Sequence, residues 1–327
     1  MNESSALGKK MGNQALVTMS NGVKMPQTGL GTWQTDDEAT AKAAIHKALD
    51  AGYRHIDTAA CYGNEELIGQ VLKEQFATGR LKRDEVFITT KIWSTHLHPD
   101  RQESSVRESL KKLQLDYVDL LLAHMPTAQE LDGVTQDHSV TVEDIWEGIE
   151  RFYEMKLARS IGVSNWSIEQ IERVMKIGKV AVHNVQVEIF LYWPQHELHE
   201  FCKKNRITLT SYGSLGSPGR KVETLPNGQK MEWAECPDPM EEPIVKELAK
   251  IYKKSSSQIL LRYLIEREIC IIPKSSNPER ILHNLDIFDF KLSEADMEKL
   301  NNVEHRQRLF KQHHMIGHPE DGFKCER

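Results

Sequence analysis

Short apolar runs alternate with longer amphipathic segments along most of the chain. Eight apolar runs predict strands, and they lie near residues 28–32, 54–58, 86–91, 118–123, 159–163, 183–187, 207–212 and 269–272. Helical patterns lie near residues 37–51, 64–77, 100–114, 142–156, 167–176, 195–205, 241–253, 256–267, 278–286 and 293–302. Strands that alternate with helices indicate an α/β fold with a parallel sheet, which is either a (β/α)8 barrel or a large doubly wound sheet.

A pair of short alternating runs precedes the first of these strands. In ALVTMSNGVKMP the two runs flank Asn21-Gly22, and this dipeptide predicts a hairpin at about 15–26. Helix caps are predicted at Asp36, Ser167 and Ser293, each of which stands just before a helical pattern.

Three segments fall outside the alternating pattern. Residues 1–14 are polar and are expected to form a flexible extension, whereas residues 15–327 contain no linker and are expected to form one domain. Residues 213–240 form a long segment rich in glycine and proline, and a loop of this length is typically a functional lid or mobile. Residues 303–327 form a polar tail that we expect to lie over the mouth of the active site.

Composition excludes several classes of protein. The 42 basic and 48 acidic residues among 327 give a net charge of −6, which disfavours nucleic acid or an anionic membrane as a partner. No apolar run reaches the roughly 18 residues that a membrane span needs, and the polar N-terminus lacks the apolar core of a secretory signal. Five scattered cysteines without a C-x-x-C pair suit free thiols in a reducing cytoplasm.

Four ionisable residues stand at or just after predicted strands in the first part of the chain. They are Asp57 and Tyr62 in HIDTAACYG, Lys91 in VFITTKIW and His124 in YVDLLLAHMP. The carboxyl ends of parallel barrel strands are where catalytic side chains converge, so we expect these four residues, the tetrad, to meet there.

The four residues of the tetrad, taken together, suit chemistry on a carbonyl group. A lysine ammonium lowers the pKa of a nearby tyrosine, so Lys91 can make Tyr62 a proton donor. Asp57 can hold that ammonium in place, and His124 can orient a carbonyl oxygen by hydrogen bonding. Each residue alone has a structural alternative: Asp57 as a helix cap, His124 as a core residue and Lys91 as a solvated strand end.

A second group of polar residues follows the last predicted strand. Lys274, Ser275, Ser276 and Arg280 stand at the start of a helical pattern, which suits a phosphate, although a solvated basic helix start is the alternative. The histidines of HHMIGH at 313–318 match no tight zinc pattern, so no metal is predicted.

From about Val17 to Phe290 these segments closely resemble the aldo-keto reductase superfamily. Its most specific motifs are GLGTW at 29–33, GYRHIDTA at 52–59, YGNEELIG at 62–69 and IPKSSNPERI at 272–281, and GVSNW at 162–166 also matches. The chain looks most like the aldose and aldehyde reductase branch. This resemblance implies a (β/α)8 TIM barrel with an N-terminal β-hairpin cap and two extra helices, and it implies a monomer.

The resemblance also implies NADPH as the cofactor, bound without the G-x-G-x-x-G motif, whose third glycine is missing in GLGTWQ. Tyr62 is then the general acid of the tetrad. The implied cofactor-binding residues are Gly31, Thr32, Trp33, Asp57, Ser164, Asn165, Gln186, Tyr212, Gly213, Ser214, Leu215, Ser217, Lys274, Ser275, Ser276, Arg280 and Asn284. The implied substrate-binding residues are Trp33, Tyr62, Trp93, His124 and Met125.

Two positions depart from the family pattern. Met125 follows His124 where that branch usually has tryptophan, and His283 stands where many relatives have an acidic residue near the adenine. We therefore expect an NADPH-dependent reductase of aldehydes or ketones with altered substrate choice. Two alternatives stay open: NADP-dependent oxidation of alcohols or polyols by the same residues, and a cofactor-sensing or scaffold protein on the same fold.

Overall fold

The eight predicted strands form one parallel sheet that curls into a barrel. The structure, a computed structural model, describes residues 15–35, 37–222, 224, 228, 230 and 233–326. Its strands are β1 (Leu16–Thr18), β2 (Lys24–Pro26), β3 (Leu30–Gly31), β4 (His55–Asp57), β5 (Phe87–Ile92), β6 (Leu120–Ala123), β7 (Ala128–Gln129), β8 (Gln136–Asp137), β9 (Ile161–Ser164), β10 (Asn184–Glu188), β11 (Thr208–Tyr212) and β12 (Cys270–Ile271).

The sheet closes where its first and last strands meet. The strand order is β12-β11-β10-β9-β6-β5-β4-β3, with every pairing parallel. Thr28 pairs with Ile271 in a parallel bridge, and the amide of Gly29 donates to the Ile271 carbonyl over 2.8 Å. This contact brings β12 against β3 and confirms the predicted barrel over the doubly wound alternative.

Helices surround the barrel, and their ends follow local sequence signals. The described helices are α1 (Glu38–Ala51), α2 (Glu65–Ala77), α3 (Pro99–Leu113), α4 (Val142–Glu154), α5 (Ile168–Ile177), α6 (His196–Lys204), α7 (Pro243–Tyr252), α8 (Ser256–Glu266), α9 (Pro278–Leu285) and α10 (Glu294–Asn301). Ser167 and Ser293 cap α5 and α10 as predicted. The cap of α1 is Asp37, which accepts from the Thr40 amide over 2.9 Å, and not Asp36, which lies outside the described residues.

The predicted hairpin covers the amino-terminal end of the barrel. Strands β1 and β2 pair antiparallel around Asn21-Gly22, where Gly22 has a φ of 84° that favours glycine. Met19 and Met25, which are 2% and 0% exposed, pack on Phe87 and on neighbouring apolar residues of β6 and β12. Burial of each methionine contributes roughly 1.5–3 kcal/mol, which holds the hairpin against the barrel floor.

Alternation along the strands decides which side chains enter the barrel. In β5, Ile88 and Ile92 belong to the main core between the sheet and the helices. Thr89 and Lys91 therefore point inward, because successive side chains of a strand face opposite sides. None of the described helices has the length and apolar character to cross a membrane.

Candidate active site

An ion pair inside the barrel forms the base of the site. Asp57 ends β4 and Lys91 lies in β5, and the two strands pair with Asp57 opposite Thr89. Lys91 Nζ lies 2.5 Å from Asp57 Oδ1, and the two side chains are 0% and 2% exposed. Gln186 Nε2 donates to the other carboxylate oxygen over 2.8 Å, so both oxygens of the buried aspartate are satisfied.

Tyr62 approaches this ion pair from the short 3-10 turn that follows β4. The turn spans Ala60–Tyr62 and ends at Gly63, whose φ of 69° favours glycine. The Tyr62 hydroxyl lies 3.5 Å from Lys91 Nζ, which is also 5.0 Å from the centre of the tyrosine ring. An ammonium group at this distance stabilises negative charge on the phenolic oxygen.

His124 completes the tetrad beside Tyr62. It directly follows β6 and is 7% exposed. Burial holds the pKa of His124 well below its usual value, and the charges of Lys91 and His314 lower the pKa further. Its ring packs edge to face on Trp93 at 4.9 Å and on Tyr62 at 5.7 Å between centroids. His124 is therefore neutral near pH 7 and carries one N–H to donate.

The tetrad opens into a cavity of about 640 Å³ at the carboxyl ends of the strands. Lys91 lies behind the cavity wall, and every other residue that the sequence predicted for catalysis, cofactor or substrate lines the cavity. These lining residues are Gly31, Thr32, Trp33, Asp57, Tyr62, Trp93, His124, Met125, Ser164, Asn165, Gln186, Tyr212, Gly213, Ser214, Leu215, Ser217, Lys274, Ser275, Ser276, Arg280 and Asn284. The structure thus brings together residues more than 220 positions apart in the chain.

Polar groups near the tetrad suit the carboxamide of a nicotinamide ring. Asn165 Nδ2 donates to the His124 carbonyl over 3.0 Å and to Ser164 Oγ over 3.2 Å, while Asn165 Oδ1 accepts from the Tyr212 hydroxyl over 2.7 Å. Gln186 Oε1 has no hydrogen-bond partner among the described residues. A carboxamide N–H can fill that acceptor, and the ring of Tyr212 borders the same part of the cavity.

The far end of the cavity suits a phosphate. Lys274 and Arg280 supply positive charge there, beside Ser275, Ser276 and Asn284. The amides of Glu279 and Arg280 at the start of α9 already donate to Asn277 Oδ1 over 2.9 and 3.0 Å. Anion binding at this end would therefore depend on the two cationic side chains and the hydroxyls more than on these helix amides.

Two residues that the sequence analysis missed line the cavity and are hydrogen-bonded to each other. Gln34 Nε2 donates to the Lys221 carbonyl over 2.9 Å, and the Lys221 amide donates to Gln34 Oε1 over 2.9 Å. We call this pair of bonds the clasp. It joins the loop after β3 to the long loop after β11, across 187 positions of sequence.

Three aromatic side chains form a wall beside the clasp. Trp33 was predicted to bind substrate. The long loop and the tail were expected to lie at the site, but Trp233 of the loop and Phe310 of the tail were not predicted individually. Centroid distances are 6.0 Å for Trp33 and Trp233, 5.8 Å for Trp33 and Phe310, and 5.2 Å for Trp233 and Phe310. All three residues line the cavity, so the wall bounds the space that a substrate would enter.

The barrel and the polar groups at the carboxyl ends of its strands suit a cofactor-dependent oxidoreductase. Comparison with known proteins gives the family. The model of the aldo/keto reductase family matches residues 27–305. Aldo-keto reductase family 1 member A1-A of Danio rerio is 39% identical over 305 residues, which is 90% of this chain and 91% of the relative. Member A1 of Homo sapiens is 38% identical over 297 residues, which is 87% of this chain and 88% of the relative.

Solved structures agree with these sequence matches. The aldose reductase of Schistosoma japonicum superposes with a TM-score of 0.86 at 34% identity, covering 96% of this chain and 100% of that one. A Bombyx mori aldo-keto reductase in complex with NADP superposes with a TM-score of 0.85 at 34% identity, covering 94% and 98%. The chain belongs to the aldo/keto reductase family. It is an NADPH-dependent oxidoreductase of carbonyl groups, as the sequence predicted.

Proposed function

We propose that the chain reduces aldehydes, with aldoses among them, and ketones to alcohols, with Tyr62 as the general acid. The observation that carries this proposal is the 3.5 Å separation of the Tyr62 hydroxyl from an ammonium nitrogen that is itself fixed by Asp57. Bound NADPH supplies the hydride for the carbonyl carbon. The chain supplies the proton for the carbonyl oxygen and the groups that orient it.

Each member of the tetrad has its own part in that proton transfer. Tyr62 gives its proton to the carbonyl oxygen, and the Lys91 ammonium stabilises the phenolate that remains. Asp57 holds the ammonium in place through the ion pair described above. Neutral His124 donates a hydrogen bond to the same carbonyl oxygen and orients it toward Tyr62.

Side chains around the cavity hold the cofactor in one orientation. Ser164, Asn165 and Gln186 would hold the carboxamide, and stacking on Tyr212 would leave one face of the nicotinamide ring open to substrate. The loop residues Gly213, Ser214, Leu215 and Ser217 would follow the pyrophosphate. Gly31 fits a close approach of another backbone, because a Cβ there would lie 2.4 Å from the Ile272 carbonyl oxygen.

The cationic end of the cavity would hold the rest of the dinucleotide. Lys274 and Arg280, with Ser275 and Ser276, would bind the 2′-phosphate that distinguishes NADPH from NADH. Asn284 would contact the adenine. His283 lines the same end of the cavity, in place of the acidic residue expected there.

Substrate choice would depend on Trp33, Trp93 and Met125, together with Trp233 and Phe310. Met125 is 3% exposed and lines the cavity beside His124. A thioether offers no N–H donor there, so Met125 presents an apolar surface beside His124. This composition supports aldehydes with an apolar or aromatic body over substrates that carry a carboxylate.

We further propose that residues 15–327 act as one domain, that the enzyme is monomeric and that it works in the cytoplasm without a membrane or nucleic-acid partner. Scattered cysteines and the net charge of −6 support the compartment and the absence of such partners. A single sedimenting species near the chain mass of 37.5 kDa would support the monomer, and a species of twice that mass would contradict it.

One assay separates reduction from its two alternatives. NADPH or NADH oxidation is followed with a panel of aldehydes, aldoses and ketones, and NADP+ reduction is followed with the corresponding alcohols and polyols. We expect a higher kcat/KM for aldehydes with NADPH than for any other combination of substrate and cofactor. Faster polyol oxidation would instead indicate the oxidative function, and tight NADPH binding without turnover of any carbonyl would indicate a sensor or scaffold.

A further inference from the structure

A thiol lies against the imidazole of His124 within the site. Cys61 Sγ is 3.7 Å from His124 Nδ1, and Cys61 immediately precedes Tyr62 in the same 3-10 turn. Both Cys61 and His124 line the cavity. His124 Nε2 has no hydrogen-bond partner among the described residues.

Neutral imidazole carries its proton on only one of its two nitrogens, and the partner of one nitrogen decides the state of the other. A carbonyl oxygen can only accept a hydrogen bond, so the nitrogen that faces the substrate must be the protonated one. Nδ1 faces Cys61, which leaves Nε2 to face the substrate. With the proton on Nε2, Nδ1 is an acceptor and needs a donor, and the Cys61 thiol has an S–H within reach.

We propose that Cys61 is a positioning residue for carbonyl reduction: its S–H donates to Nδ1 of His124 and thereby selects the tautomer whose Nε2–H donates to the substrate oxygen. The inference rests on the proposed function of His124 as the group that orients the carbonyl. Cys61 itself touches neither the transferred proton nor the hydride.

The lowered pKa of His124 supports the proposal, because the ring is neutral near pH 7 and a neutral ring has two tautomers. A protonated imidazole would donate from both nitrogens and would need no tautomer selection. Removal of the thiol donor would leave Nδ1 facing the open cavity without a fixed donor and would allow both tautomers to populate. Only the Nε2–H fraction would then bind the carbonyl productively.

The direct test is the tautomer itself, measured by long-range ¹H–¹⁵N correlation on protein with ¹⁵N-labelled histidine. The His124 signals are assigned by their loss in His124→Asn. We expect wild-type enzyme with NADP+ bound to carry the proton on Nε2, and Cys61→Ala to show a mixture of tautomers. If His124 in the wild-type enzyme carries its proton on Nδ1, the proposal is overturned, whichever tautomer the variants show.

Turnover provides the second readout, with a matched pair of variants. Cys61→Ser keeps an O–H donor at this position, whereas Cys61→Ala has none. We expect kcat/KM for a small aldehyde to fall about three- to tenfold in Cys61→Ala, in line with the loss of one hydrogen bond, and to recover most of that loss in Cys61→Ser. NADPH affinity should stay unchanged in both variants.

Failure of this proposal differs from failure of the proposed function. If Cys61→Ala keeps the wild-type tautomer and wild-type kcat/KM, Cys61 has no positioning role although the reductase mechanism stands. If wild-type enzyme turns over no carbonyl, the proposed function fails, and the tautomer measurement still decides whether the thiol orders the ring.

Discussion

Lys91 and Asp57 form an ion pair that lies inside the barrel, with 2.5 Å between Nζ and Oδ1. The ammonium also donates to the Thr58 carbonyl over 2.8 Å and faces Tyr62. Two buried charges in contact stabilise a fold weakly on balance, because desolvation opposes their attraction. The arrangement is therefore better explained by what the fixed ammonium does for Tyr62 than by stability.

Removal of one partner of this ion pair should damage both stability and activity. Lys91→Met would leave Asp57 buried without its cation, which typically lowers the free energy of unfolding by about 3–5 kcal/mol. The double variant Lys91→Met/Asp57→Asn replaces both charges with neutral groups and should regain much of that stability. Urea unfolding with parallel assays would check both quantities.

That double variant should nevertheless remain inactive, because no ammonium faces Tyr62. Regained turnover in the stable double variant would show that the ion pair matters only for folding. A double variant no more stable than Lys91→Met would contradict the account of the pair as a desolvated ion pair.

The clasp between Gln34 and Lys221 should slow the exit of the cofactor. Gln34→Ala removes both hydrogen bonds between the two loops, which together are worth about 1–3 kcal/mol, so release of NADP+ should accelerate by about fivefold to about 150-fold. Stopped-flow fluorescence of a preformed complex measures that rate. Lys176→Ala on the exposed face of α5 serves as the control, and equal release rates in the two variants would refute a role for the clasp.

Glu188 anchors the tail that carries Phe310. This buried carboxylate ends β10 and accepts from the amides of Leu309 and Phe310 over 2.7 and 3.1 Å, and Arg308 Nη1 lies 3.5 Å from it. Glu188→Ala should free the tail, raise KM for bulky aromatic aldehydes and change kcat for a small aldehyde little. Faster hydrogen exchange at the Leu309 and Phe310 amides would accompany the change in KM, whereas unchanged exchange would contradict the anchoring role.

His183 should make stability depend on pH. Burial lowers its pKa to about 4, and Nδ1 accepts from the Ile161 amide over 3.1 Å. Because the unfolded chain binds the proton below about pH 6.5 and the folded chain does not, stability is full above that pH and is lost as pH falls toward 4. Between pH 7 and pH 5 the loss from this residue should reach about 2 kcal/mol.

Two urea unfolding curves test this prediction. His183→Asn keeps an acceptor for the Ile161 amide but does not titrate, so its stability should fall less between pH 7 and pH 5 than that of the wild type. The difference should be about 2 kcal/mol. Equal losses in the two proteins would show that His183 does not contribute to the pH dependence.

The barrel could be predicted well because the sequence signals that mark its strands and helices are local. Eight strands and ten helices lie within a few residues of their predicted positions, since apolar periodicity and capping residues act over short distances. The cap of α1 was misplaced by one position, because Asp36 and Asp37 are chemically equivalent caps and only backbone geometry separates them.

Residues of the site could be predicted from the sequence only where they belong to recognisable motifs. Asp57, Tyr62, Lys91 and His124 stand at strand ends, where a barrel makes neighbours of distant residues. The clasp at Gln34, the wall residues Trp233 and Phe310 and the contact of Cys61 with His124 depend on how loops and the tail fold. Such contacts join positions without any periodicity, so only the structure reveals them.

The proposed mechanism depends most on Tyr62 as the proton donor, and Tyr62→Phe tests this role directly. The variant is loaded with NADPH, its affinity is measured by fluorescence, and hydride transfer to an aldehyde is followed in a single turnover by the loss of NADPH absorbance. We predict unchanged NADPH affinity and hydride transfer slowed at least about a hundredfold, as expected for the loss of a general acid. Tight NADPH binding with transfer at the wild-type rate would contradict the assignment of Tyr62 and the mechanism built on it.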